Sequence, residues 1–66
     1  MYNKENYDRA IEDFSMAAML NPQDAQVYNN RGLAYKAKGE YGLASNDLKK
    51  ACNMGFENAC KALSGN

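Results

Sequence analysis

The chain has 66 residues, enough for one small domain at most, in a size range where a single core seldom supplies more than about 3–5 kcal/mol. Eight basic residues balance eight acidic ones, so no net field draws in nucleic acid or an anionic membrane surface. Two cysteines without any histidine rule out a closed four-ligand zinc site made of Cys and His alone, and no apolar run is long enough to cross a bilayer.

The sequence repeats itself. A shift of 34 residues superimposes Tyr7 on Tyr41, Ala10 on Ala44, Asp13 on Asp47 and Ala17 on Ala51 as identities, and Phe14 on Leu48 and Leu20 on Met54 as apolar pairs. In the first copy Tyr7, Ala10, Ile11, Phe14, Ala17 and Ala18 recur at steps of three and four, which predicts a helix from about Tyr7 to Leu20. Asn21-Pro22 ends it, because proline disfavours helical geometry in the residue before it and has no backbone N–H to donate. Asp24 suits the N-cap of a second helix over Ala25 to Ala37, with Tyr28, Gly32 and Tyr35 on its core side and Lys36 and Lys38 near its end. Gly39 is placed to close that helix in the left-handed conformation. A third helix follows from about Tyr41 to Met54, with Ala44, Leu48, Ala51 and Cys52 as its core stripe. Gly55 repeats the stop, and a short fourth helix fits Asn58 to Leu63, with Ala59, Ala62 and Leu63 available for packing. The fold class is all-α: about four helices in antiparallel helix-turn-helix repeats, a fragment of an α-solenoid.

Ala25 to Met54 resembles a nearly complete tetratricopeptide repeat, with Tyr28, Gly32, Tyr35, Ala44, Leu48 and Ala51 at the signature spacing and Gly39 and Tyr41 at its turn. Residues 5–22 resemble only the second helix of a preceding repeat, through Tyr7, Ala10, Phe14, Ala17 and Pro22. The expected organisation is one unit over 1–66: a partial repeat (5–22), a full repeat (25–54) and a C-terminal capping helix (56–63). Because the pattern opens on a second helix, the sequence reads as a piece of a longer array. Two departures stand out. Arg31 occupies the position where the family usually has leucine, and Phe56 the position where it usually has proline. The ending Lys49 to Cys60 is similar to cysteine-paired relatives of the family, which commonly link cysteines at this separation. That resemblance implies a disulfide between Cys52 and Cys60 in an oxidising compartment. On one continuous helix the two would stand about 12 Å apart along the axis, so the bond requires a break at Gly55 and a fold-back of helix four.

No catalytic constellation is visible. Neither cysteine has a histidine to act as its base, Asp8, Glu12 and Asp13 read as a solvated helix face, and no phosphate-binding glycine motif occurs. The chain is therefore expected to be no enzyme and to need no cofactor or metal. All tyrosines except Tyr2 fall on packing positions of the repeat, and Met16, Met19 and Met54 read as gap-fillers in a small core. The resemblance implies a protein-protein interaction module that binds a peptide or protein segment along a concave helix face. The candidate contacts are Gln26, Asn30 and Leu33, opposite the core side of helix two, with Asn29 and Lys36 on the flank. Asn30 stands where the family commonly places a groove asparagine, whose amide can both donate to and accept from a peptide backbone. The alternative is a structural or self-assembly fragment that caps or joins a stack. The stripe Tyr7, Ile11, Phe14 and Ala18 is the expected self-association surface, giving a homo-oligomer, with no nucleic-acid or membrane partner.

Overall fold

The computed structural model describes residues 4–64, and within them the chain forms four helices and no strand: α1 (Lys4–Leu20), α2 (Ala25–Lys38), α3 (Tyr41–Asn53) and α4 (Glu57–Ser64). Tyr2 lies outside the described residues. The all-α repeat architecture expected from the periodicity is the one observed. Helix α1 begins three residues earlier than the apolar stripe at Tyr7 requires, and the other boundaries fall within a residue of the expected ones. The differences lie at helix ends, where polar residues continue the backbone ladder without any apolar signal.

Local chemistry sets each turn. After α1, the Asn21 N–H donates to the Ala17 carbonyl at 2.9 Å and the Asp24 N–H to the Asn21 carbonyl at 3.1 Å. The Tyr28 hydroxyl reaches back to the Pro22 carbonyl at 3.1 Å, tying this turn to the next helix. Asp24 caps α2, its carboxylate accepting from the Gln26 N–H at 3.1 Å. The two glycine stops are alike. At Gly39 (φ 95°) the Glu40 N–H donates to Tyr35 O and the Gly39 N–H to Lys36 O. At Gly55 (φ 97°) the Phe56 N–H donates to Ala51 O and the Gly55 N–H to Cys52 O. This pair of bonds satisfies the last carbonyls of a helix and needs a left-handed residue, a conformation that costs glycine little.

Each helix packs against its neighbour in sequence. The core is built from three alanines, one tyrosine and one leucine, Ala18, Tyr28, Leu48, Ala51 and Ala59, flanked by Val27, Cys52, Met54, Phe56 and Leu63. Ala51 and Ala59 are fully buried, so the backbones of α3 and α4 approach closely. Phe56 fills the α3–α4 corner where the family pattern has proline. Cys52 and Cys60 are joined by a disulfide across that corner, with their Cα atoms 4.8 Å apart, which fixes α4 against α3.

Two expectations of packing are corrected. Tyr41, the first residue of α3, is 66% exposed. Met16 and Met19 are also exposed, on the side of α1 turned away from α2, so only Met54 fills a gap in the core. In the stripe Tyr7, Ile11, Phe14 and Ala18, helix α2 already supplies part of the cover, for Ala18 is buried and the other three are half-buried.

Candidate functional site

Helix α2 lies between α1 and α3 and carries the candidate contacts. Gln26 and Lys36 are exposed, Leu33 is 43% exposed and Asn30 is half-buried, so these four share an accessible face. Asn29 departs from the flank position expected for it. It is buried, at 7% exposure, and its Oδ1 has no hydrogen-bond partner among the described residues. Asn29 and Gly32 are three residues apart on one side of the helix, and Gly32 is the point where α2 meets α3. The absence of a side chain there lets α3 approach α2 closely at Leu48 and Ala44.

Beside this face a shallow cleft of about 130 Å³ opens between α2, α3 and α4. Ala44, Leu48, Ala62 and Leu63 form its apolar lining, and Lys36, Tyr41 and Ser45 add polar groups. Lys36 thus belongs both to the α2 face and to the cleft.

The opposite edge of α2 holds a charged joint that sequence reasoning missed. Arg31 Nε and Nη2 donate to the two carboxylate oxygens of Asp47 on α3 at 2.7 and 2.8 Å, and Nη1 donates to Ser15 Oγ on α1 at 3.0 Å. One guanidinium therefore links three helices. It lies 5.7 Å from the ring centre of Tyr28 and 5.9 Å from that of Tyr35, and Lys50 Nζ approaches Tyr28 at 5.0 Å, all within cation–π range. The hydrogen bonds that Arg31 donates to Asp47 raise its pKa above the ordinary guanidinium value and outweigh the desolvation of a partly buried position. At the far end of α2, Lys38 pairs with Asp8 and Glu40, which raise its pKa above the usual lysine value. The signal that could have found the joint was the recurrence of aspartate at positions 13 and 47 within an otherwise apolar repeat register.

Among the described residues, no group of three His, Cys, Asp or Glu side chains is placed to hold a metal ion, and no helix is long and apolar enough to cross a membrane. What the fold displays is an α2 face of amides, one leucine and one lysine, on a scaffold of antiparallel helix pairs: the makings of a helical-repeat interaction module.

Comparison with known proteins agrees. The chain matches the family profile described as TPR repeat over residues 1–39 and that described as tetratricopeptide repeat over residues 25–54. It belongs to the tetratricopeptide repeat family, whose members are protein-protein interaction modules. It is 38% identical over 53 residues to human serine/threonine-protein phosphatase 5, covering 80% of this chain and 11% of the phosphatase. It is 32% identical over 56 residues to the Arabidopsis thaliana Hsp70-Hsp90 organizing protein 3, covering 85% of this chain and 10% of that protein. With the Drosophila melanogaster Hsc70-interacting protein 1 it shares 38% identity over 47 residues, 71% of this chain and 12% of the relative. The chain thus spans about a tenth of the length of these curated relatives, and the alignment with the phosphatase does not carry that protein's catalysis to it. No solved structure gives a significant match.

Proposed function

We propose that the chain binds an extended peptide or protein segment along the accessible face of α2, within an organisation of one full repeat (25–54) flanked by a partial repeat (5–22) and a capping helix (56–63). The observation that supports this reading most is the combination on α2 of the half-buried amide of Asn30 with exposed Gln26, Leu33 and Lys36. A half-buried amide is held in place by its surroundings and can engage a peptide bond whatever the ligand's side chains. Leu33 offers an apolar contact and Lys36 a cation for an acidic group. Relatives whose names tie them to Hsp70, Hsp90 and Hsc70 support a protein as the partner. One helix face offers few contacts, so affinity of the 66-residue chain alone should be modest.

The test is selection of random displayed peptides on the immobilised chain, followed by binding to Asn30→Ala and Lys36→Glu variants. Peptides that lose binding to both variants support the α2 face. Enriched peptides indifferent to both would overturn it.

A second reading, self-association into a homo-oligomer, is favoured by a separate observation. Met16, Met19 and Leu20, near the end of α1, are 64%, 83% and 86% exposed.

A further inference from the structure

Two thioethers stand in solvent where the repeat does not ask for apolar residues. Met16 and Met19 of α1 are 64% and 83% exposed, and a spacing of three residues puts them side by side on one face of the helix. The 34-residue register matches them to Lys50 and Asn53 of α3, which are exposed as well, although α3 has a helix packed on either side. Polar residues therefore serve the fold at both positions, and the exposure of the two methionines belongs to the positions themselves. Leu20, the next residue, is 86% exposed and extends the apolar surface. Met54 is the contrast, half-buried and packed against the core cluster. Both cysteines are joined in the Cys52–Cys60 bond, so no free thiol competes for an oxidant.

We infer that Met16 and Met19 form a modification site that a peroxide oxidises, and that the reaction turns the end of α1 from apolar to polar without disturbing the fold. The sulfur lone pair attacks the outer peroxide oxygen, and the S–O bond forms as the O–O bond breaks. The sulfur is oxidised to a sulfoxide, while the peroxide is reduced to water or an alcohol as its proton passes to the leaving oxygen. A thiol-dependent sulfoxide reductase reverses the change. An exposed thioether is reached far more readily than one packed in a core, which directs the reaction to Met16 and Met19 and away from Met54. A sulfoxide is a hydrogen-bond acceptor, and at positions where the other copy carries an amine and an amide it stays hydrated. The apolar face that the self-association reading needs is thereby lost, and this last step rests on that reading.

The full chain, with its disulfide intact, is treated with hydrogen peroxide and followed by peptide mapping, circular dichroism and sedimentation equilibrium. Met16 and Met19 should each gain an oxygen at least about tenfold faster than Met54. The melting curve should not move, and the rise of apparent mass with concentration should disappear. Met16→Gln with Met19→Gln should reproduce the oxidised state without peroxide. Met16→Leu with Met19→Leu, which keeps the apolar area and lacks the sulfur, should associate like the wild type and ignore peroxide. Oxidation of Met54 at the same rate, or loss of helix as Met16 and Met19 react, would overturn the inference. So would association unchanged by complete oxidation of both, an outcome that leaves the self-association reading standing. A chain monomeric before and after treatment, with oxygen confined to Met16 and Met19 and the fold retained, would remove the self-association reading and support the modification site.

Discussion

A Cβ atom placed on Gly32 would lie 2.9 Å from Leu48 Cγ and 3.2 Å from the Ala44 carbonyl oxygen, closer than a methyl group can sit without displacing α3. Glycine inside a helix costs about 0.5–1 kcal/mol relative to alanine, so its presence here reflects this contact and not local preference. Gly32→Leu should therefore destabilise the chain by about 1–3 kcal/mol despite the better helix propensity of leucine. For a domain of this size that lowers the melting temperature by roughly 4–8 °C per kcal/mol. Thermal unfolding followed by circular dichroism checks it, and a higher melting temperature in the variant would refute the close-contact reading.

The Arg31–Asp47 joint predicts strong non-additivity. The Arg31 side chain is 20% exposed and that of Asp47 9%, so removal of either leaves a mostly desolvated charge without its partner. Asp47→Ala is expected to cost about 2–3 kcal/mol, towards the lower end for a buried pair because water still reaches the guanidinium. Arg31→Leu, which installs the residue usual in the family, should cost a similar amount, since it strands the Asp47 carboxylate and releases Ser15. The double variant should lose less than the sum of the singles by about 1–2 kcal/mol. Urea unfolding of the four proteins gives the coupling directly, and additive losses would show that the pair contributes nothing beyond packing.

The helices and their stops could be read from the sequence because their causes are local. Pro22, Gly39 and Gly55 each act through the backbone of their own turn, and the apolar stripe of α3 is the stripe that is buried. The Arg31–Asp47 pair could not be read in the same way. Its members are 16 residues apart on different helices, and each taken singly looks like a solvated charge. The burial of Asn29 is an effect of tertiary packing that a helical wheel does not contain. Tyr41 shows the converse error. Its match to Tyr7 at the repeat period suggested packing, but a residue at the first position of a helix has no preceding turn to hold it against a neighbour. On the candidate α2 face, a helical wheel groups residues by side, whereas the exposure of each depends on how the neighbouring helices pack.

The Cys52–Cys60 bond closes a short loop and should stabilise the fold by about 2.5 kcal/mol in the chain-entropy account. Its effect should concentrate on α4, an eight-residue helix too short to persist in water without tertiary support. Reduction, or Cys60→Ser, is expected to lower the melting temperature and to accelerate amide exchange in α4 well before that in α2 and α3. Ala59 and Phe56 would lose cover at the same time, and the Leu48–Ala62–Leu63 cleft would open. Hydrogen exchange of oxidised and reduced protein measures this residue by residue. Equal protection of α4 in both forms would mean that packing alone holds the helix in place.

The final prediction concerns the exposed end of α1. The chain presents 4620 Å² of accessible surface, whereas a compact monomer of its mass is expected to present roughly 4200 Å². Met16, Met19 and Leu20 account for part of that surface, and covering such side chains is worth roughly 1.5–3 kcal/mol each when burial is complete. In so small a domain even partial cover from a second copy is a large share of the total stability, and repeat surfaces are suited to stacking on one another. The apparent mass in sedimentation equilibrium should therefore rise above 7.3 kDa as concentration increases from micromolar to millimolar. Met19→Glu with Leu20→Glu should return the chain to a monomer without loss of helix, because neither side chain belongs to the core cluster. Phe14→Asp should also dissociate the assembly but at a cost in melting temperature, since Phe14 is half-buried within the monomer itself. A wild-type chain that stays at its monomer mass across the whole range would show that the exposed end of α1 is not an interface between copies.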